Sequence, residues 1–354
     1  MFESLKVIEL ATVLAGPAVG MFFAELGAEV IKIEHPSLPD VTRSWKLPSE
    51  SAGDPVSAYF SSVNYRKQYR KMDLSSAEGA AEIRALIESA DILLLNFKKG
   101  DDVKFGLTAD KVFALNPRIL IGKITGFGDD SDRVAYDLIL QAESGLMSMN
   151  GTPESGPVKM PVAFIDVLAA HQLKEGLLVA LLERKVSGKG QEVSVSLYDA
   201  AVSSLVNQAS NYLMEGHVPQ RIGSLHPNIA PYGELFTTAD QKQVTFAIGS
   251  DRHFEGLCAY LGLNDLDADE RFSTNASRVK NRTALFGLLQ PVIAQHTSES
   301  LNAAMLEKHI PFGIIRSLDE VFTDPTAQSL VRTETIDGKT TKRVTSIAFK
   351  RHGN

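Results

Sequence analysis

A single cysteine, Cys258, in 354 residues excludes any intrachain disulfide and any multi-cysteine zinc site. That usage fits a reducing cytoplasm. Basic residues are outnumbered: the net charge is −7, which argues against non-specific nucleic-acid binding driven by phosphate neutralisation. No apolar run approaches the about 20 residues that a membrane helix needs. The longest apolar stretch, Leu14 to Leu26, is preceded by Glu3 and Glu9 and interrupted by Glu25, so it reads as a buried helix and not as a signal peptide. Also missing are an H-E-x-x-H pair among the eight scattered histidines, a G-x-S-x-G elbow and a Walker lysine loop. The expectation is a cytoplasmic protein without metal, membrane or nucleic-acid partner. Cys258 lies in an apolar helical stretch and reads as core.

What is present is an ordinary soluble balance, 44% apolar and 22% charged residues, in a chain long enough for one large or two ordinary domains. Lys6–Leu10 reads as a strand, Ala15–Leu26 as a helix capped by Gly27, and Glu29–Ile33 as the next strand. Further strands at 91–96 and 118–124 alternate with helices at 77–90 and 109–115. This alternation predicts an α/β fold with a doubly wound sheet, whose ligands sit beyond the carboxyl ends of the strands. The rule points to Thr12–Gly16, His35, Asn96, Phe97 and Thr125–Gly128. The first turn lacks G-x-G-x-x-G spacing, so a dinucleotide is weakly supported. Residues 36–62 form a long loop of the kind that is functional or mobile. Asn64–Lys71 carries four positive charges, read either as a solvated turn or as an anion site. A Pro-, Gly- and His-containing stretch at 216–231 marks a domain boundary. Ile310–Ile315 suggests a return strand.

One carboxylate stands apart. Asp166 opens a long apolar helix, flanked by Phe164, Ile165, Val167 and Leu168, with no charge nearer than Lys159 and Lys174. It reads either as a helix N-cap or as a partly dehydrated nucleophile at a helix N-terminus. Composition does not choose between them.

The combination of Leu14-Ala-Gly-Pro17, Gly27-Ala-Glu-Val-Ile-Lys-Ile-Glu34, Tyr136-Asp-Leu-Ile-Leu-Gln-Ala142, the Asp166 helix, Ser187-Gly-Lys-Gly-Gln191, Asp199-Ala and His226-Pro-Asn228 resembles the family III CoA-transferases (CaiB/BaiF). The resemblance runs from near the N-terminus to about Pro325. It implies a Rossmann-like large domain (1–215), a linker (216–231), a smaller α+β domain (232–310) and a return segment (311–354) that completes the large domain. It also implies an obligate, interlocked homodimer. Asp166 matches the family's catalytic aspartate, with coenzyme A, carried as acyl-CoA, as co-substrate. Positions matching CoA contacts are Val13, Leu14, Ala15, His35, Lys67, Asn96, Phe97 and Lys104. Tyr136 and Asp137 fall in the substrate site. His35 departs from the arginine common at its position, which weakens phosphate pairing.

The implied reaction moves CoA from an acyl-CoA to a small carboxylate through an aspartyl anhydride and an aspartyl-CoA thioester. Related α-methylacyl-CoA racemases instead carry a histidine immediately before an aspartate, where this chain has Tyr136-Asp137; tyrosine is a poor base at neutral pH. Glu234 falls near a racemase-type acidic position and stands as an acid/base candidate for that alternative. A catalytically silent CoA-binding protein is the third reading. No Gly-Gly-Gly-Gly loop of the formyl/oxalyl branch is present, so a small or dicarboxylic acid other than oxalate is the expected acceptor.

Overall fold

A computed structural model of the chain describes residues 2–352. It divides into two compact units. The larger holds the chain up to 148, residues 159–219 and the segment from 326 onward; the smaller holds 149–158 and 220–325.

Six strands build the sheet of the larger unit: β1 (Lys6–Glu9), β2 (Glu29–Glu34), β3 (Gln68–Lys71), β4 (Ile92–Leu95), β5 (Leu120–Thr125) and β6 (Gln191–Ser196). All neighbours run parallel, in the order β3-β2-β1-β4-β5-β6. This is the Rossmann order, and its direction of winding reverses between β1 and β4, where a crevice opens beyond the strand ends. Helices α1 (Ala15–Glu25), α2 (Ala77–Glu88), α3 (Asp137–Glu143), α4 (Phe164–Ser187) and α5 (Val206–Glu215) belong to the same unit. Alternate residues of the inner strands β1, β2, β4 and β5 face opposite cores. Val7 and Leu94 join α1 and α4 on one side; Ile8, Leu93 and Leu95 join Ile83 and Ile87 of α2 on the other. Burial on both faces is why inner strands such as Ile92–Leu95 read as continuous apolar runs, while the edge strands β3 and β6 are partly exposed. Along α4, Ile165, Ala169, Leu173, Leu177 and Leu181 recur every fourth residue and are buried, the stripe expected of a core-facing helix. That helix lies so close to the sheet that a Cβ at Gly176 would come within 2.6 Å of Val193.

The smaller unit carries an antiparallel sheet of β7 (Phe236–Thr237), β8 (Gln243–Phe246) and β9 (Phe312–Ile314), in the order β9-β8-β7. Helices α6 (Asp251–Leu261), α7 (Arg282–Ile293) and α8 (Ser298–Glu307) pack with it around one apolar core. Cys258 is buried in that core, and burial pushes its thiol up to about 12, so it is packing and not a nucleophile. The chain does not return to the larger unit at 311. Phe312–Ile314 has its hydrogen-bond partner in β8, which keeps the chain in the smaller unit as far as Pro325. The hairpin β10 (Val331–Ile336) and β11 (Lys339–Val344) then belongs to the larger unit. Behind it, Arg343 pairs with Glu25 of α1, which also accepts from Thr345 Oγ1 and from the Ser346 N–H, both at 2.9 Å.

Candidate active site

Asp166 is the third residue of α4, and it does not cap the helix. The N-cap is Ala163, which offers no side-chain oxygen. The capping oxygen comes instead from Asp137, at the start of α3: its Oδ1 accepts from the Ile165 N–H at 2.8 Å. Gln141 extends the link, donating to Asp137 Oδ2 at 2.6 Å while its Oε1 accepts from the Met160 N–H at 2.8 Å. With that work done elsewhere, the Asp166 carboxyl has no hydrogen-bond partner among the described residues and is 9% exposed. Burial first, and the nearby Asp137 charge second, push it up to about 7. A buried carboxyl with neither a cation nor a hydrogen bond is costly unless it serves chemistry.

The sequence reading missed Tyr59, which stands near it, and Trp45, which packs on Tyr59. Tyr59 is half-buried, and its phenol is pushed up to about 12 by burial and then by the carboxylates of Asp166, Asp137 and Asp40. Trp45 packs edge-on against Tyr59, with ring centroids 5.0 Å apart. Both come from the 36–62 segment, which is not one long loop: Trp45 follows a 3-10 turn at Val41–Ser44 and Tyr59 lies in a short helix, Ala58–Ser61.

The first β-α turn is held from below by buried charges. Lys32 pairs with Glu9 at 3.0 Å and Asp40 at 3.1 Å and donates to the Ala11 carbonyl at 2.7 Å. Lys67 pairs with Glu9 at 2.8 Å and donates to the Pro17 carbonyl and Asn64 Oδ1, both at 2.9 Å. All four charged side chains have no exposed surface. Burial, then the Lys32 charge, lowers Lys67 to about 7 in spite of Glu9; burial opposes the charge on Lys32 too, but Glu9 and Asp40 outweigh it and hold Lys32 above its ordinary value. Gly20 is required here, since a Cβ would lie 1.8 Å from Glu9 Oε2. Asn96, at the end of β4, accepts from the Thr12 N–H at 3.0 Å and donates to the Thr12 carbonyl at 2.8 Å. Val13 sits at φ 72°, a conformation costly for a β-branched residue, and its N–H is taken by Asp40 at 3.2 Å.

Lys67 and Asn96, read from the sequence as ligand contacts, therefore spend their polar atoms on this turn. The N–H groups of Leu14, Ala15 and Gly16, by contrast, have no acceptor among the described residues.

His35, Phe97 and Lys104 come together in a cavity of about 330 Å³ beyond the ends of β1 to β4, with Thr12, Asp73 and Ser75 also on its wall. Phe97 packs against Phe105 at 5.6 Å, and Lys104 Nζ lies 4.9 Å from the Phe105 ring centre. This is where the winding-reversal rule places a ligand. Tyr136 is largely exposed just before α3. Glu234 belongs to the smaller unit, is 6% exposed and lies 3.4 Å from Arg282 Nη1; Arg282 Nη2 donates to the carbonyls of His226 and Ile229 at 2.5 and 2.6 Å.

The chain as a whole has known relatives. The chain is 38% identical to a succinate–glutarate CoA-transferase of Agrobacterium fabrum over 92% of its own length and 83% of that protein. It is 33% identical to a succinyl-CoA:mesaconate CoA-transferase of Haloarcula hispanica, covering 91% and 82% of the two chains. A crystal structure of a CaiB/BaiF family protein from Brucella suis superposes with a TM-score of 0.86 at 37% identity, over 98% of this chain and 91% of that one. With residues 2–353 matching the family pattern as well, the chain belongs to CoA-transferase family III and is an acyl-CoA:carboxylate CoA-transferase.

Proposed function

We propose that this protein transfers CoA between small dicarboxylic acids, with succinyl-CoA as the first donor to test and glutarate and mesaconate as the first acceptors, using Asp166 as a covalent nucleophile. The observation that carries the proposal is the Asp166 carboxyl itself, buried, unpartnered and fixed at the start of α4. The relatives named for succinate, glutarate and mesaconate support the substrate class.

In the first step the ionised carboxylate attacks the thioester carbonyl; the C–S bond breaks, leaving a mixed anhydride and CoA thiolate. The thiolate then attacks the aspartyl carbonyl, releasing the donor acid and forming an aspartyl-CoA thioester. The acceptor carboxylate attacks that thioester, expels the thiolate and makes a second anhydride. Attack of the thiolate on the acceptor's acyl carbon yields the new acyl-CoA and restores Asp166. Each anhydride must be kept from water, which the buried setting of Asp166 serves. The free N–H groups of Leu14, Ala15 and Gly16 are suited to hold the oxyanion of the tetrahedral states. The adenosine end of CoA goes to the His35–Phe97–Lys104 cavity, beyond the same turn.

The test is peptide mass spectrometry after incubation with succinyl-CoA and hydroxylamine. A hydroxamate on Asp166 is expected. Its absence, together with deuterium exchange into a 2-methylacyl-CoA, would favour the racemase alternative, in which Glu234 has to act as a base despite its Arg282 partner. Binding of CoA with neither reaction would leave a silent CoA-binding protein.

The dimer is proposed on the same footing. Val179, Leu182 and Val186 of α4 and Leu213 and Met214 of α5 all expose more than half of their surface, an apolar load unusual for a monomer. Light scattering is expected to give twice the 38.5 kDa chain mass; a mass of one chain at micromolar concentration would reject the dimer.

A further inference from the structure

The cavity beyond β1 to β4 carries little of what a phosphate clamp needs. Among its lining residues Lys104 is the one lysine or arginine. Of its carboxylates, Glu34 is engaged by Arg43 at 2.7 Å and Asp40 by Lys32. Among the described residues no lysine or arginine forms an ion pair with Asp73, which feels the charge of Lys104 only at longer range. Asp73 Oδ1 accepts from Ser75 Oγ at 2.6 Å and the Ser75 N–H at 2.9 Å, bonds that hold its carboxyl below the ordinary value. Oδ2 has no hydrogen bond among the described residues.

His35 faces Asp73. Its Nδ1 accepts from the N–H groups of Ser37 and Leu38, both at 3.1 Å, which leaves Nε2 as the ring's donor. That Nε2 lies 3.7 Å from Asp73 Oδ1, too far for a direct hydrogen bond and close enough for one oxygen seated beside both to reach each of them. One donor beside one acceptor fits a hydroxyl, which accepts from the imidazole N–H and donates to the carboxylate. A phosphate dianion can take the first bond but has no proton for the second, and it meets the Asp73 charge.

We infer that His35 and Asp73 read a ribose hydroxyl, and that the protein consequently binds 3′-dephospho-CoA about as tightly as CoA. The inference rests on the proposed placement of the adenosine end in this cavity. In CoA the 2′-hydroxyl can still satisfy the pair, but it carries the neighbouring 3′-phosphate towards Asp73, so the gain from Lys104 is offset.

Calorimetric titration of the full-length protein with CoA and with 3′-dephospho-CoA tests this without turnover. The two dissociation constants are expected to agree within about tenfold, whereas a dedicated phosphate clamp discriminates by a hundredfold or more. In Asp73→Asn the preference for CoA should rise by about tenfold, because the repulsion is gone. A wild-type preference for CoA above about tenfold, or an unchanged ratio in the variant, overturns the inference. Binding of both ligands without CoA transfer from succinyl-CoA would reject the dicarboxylate proposal and leave this one standing. Binding of neither would reject both.

Discussion

Replacing Asp166 with asparagine is expected to stop CoA transfer and to stabilise the fold at the same time. Loss of a covalent nucleophile costs about ten-thousand-fold or more in kcat. The stability gain follows from the proton. Burial and then Asp137 push the Asp166 carboxyl up to about 7, while an unfolded chain releases the same proton near pH 3.9, approximately. Between those values the folded protein binds more protons than the unfolded one, so stability falls as pH rises from about 4 to about 7 and is level above that. At about 1.4 kcal/mol for each pH unit, the penalty at pH 8 is of order 4 kcal/mol. Asparagine keeps the shape without the charge. The variant should melt several degrees above the wild type at pH 8 and together with it at pH 4; coincident melting at both would refute the strained carboxylate. In the proposed mechanism only the carboxylate attacks, so the same proton should give kcat/KM an acid limb that rises through pH 7 or so. Asp137→Asn removes the second cause of the shift while keeping an oxygen for the Ile165 N–H, and the limb should move to lower pH. A limb unmoved by that change would assign the shift to burial alone.

The doubly wound sheet was legible because its inner strands are buried on both faces and its long helix repeats its apolar residues every fourth position; Ile92–Leu95 and the α4 stripe carry that signal without help from tertiary structure, whereas the order of the strands belongs to the fold. Asp166 could be picked out by its apolar flanks, but not its freedom from capping. That depends on Asp137, 29 positions earlier in the sequence, turning its Oδ1 onto the Ile165 N–H. Tyr59 was invisible for a related reason: a segment whose helical pieces are one turn long shows no periodicity, and so tells nothing of which side chain turns towards a site. Lys67 and Asn96 mark the opposite limit. A lysine in a basic run has every sequence mark of a phosphate ligand, and its direction is set by Glu9, which lies on β1, 58 positions earlier. Ile310–Ile315 was recognisable as a strand, whereas its partner, β8, could be known only from the fold.

The largest structural penalty should come from Lys32→Met, at the centre of the buried charges beneath the first turn. Lys32 neutralises Glu9 and Asp40 together and holds the Ala11 carbonyl. Methionine fills a similar volume, but it leaves Asp40 buried without a cation and Glu9 with Lys67 alone, a situation that costs about 3–5 kcal/mol. Arg70→Met removes an equal charge from the neighbouring strand. Its pair with Glu82, at 3.4 Å, is nearly half exposed on both sides, so that loss should stay below about 1 kcal/mol. Urea unfolding of the two variants at one protein concentration separates burial from charge count. Function should divide the same way: Asp40 also takes the Val13 N–H, and a turn freed at Val13 no longer presents the N–H groups of Leu14, Ala15 and Gly16 in one direction. KM for the acyl-CoA should therefore rise in Lys32→Met, in the fraction that remains folded, and stay near wild type in Arg70→Met. Equal stability losses in the two variants would mean that the turn is held by Asn96 and the helix it begins, and that the buried charges do not anchor it.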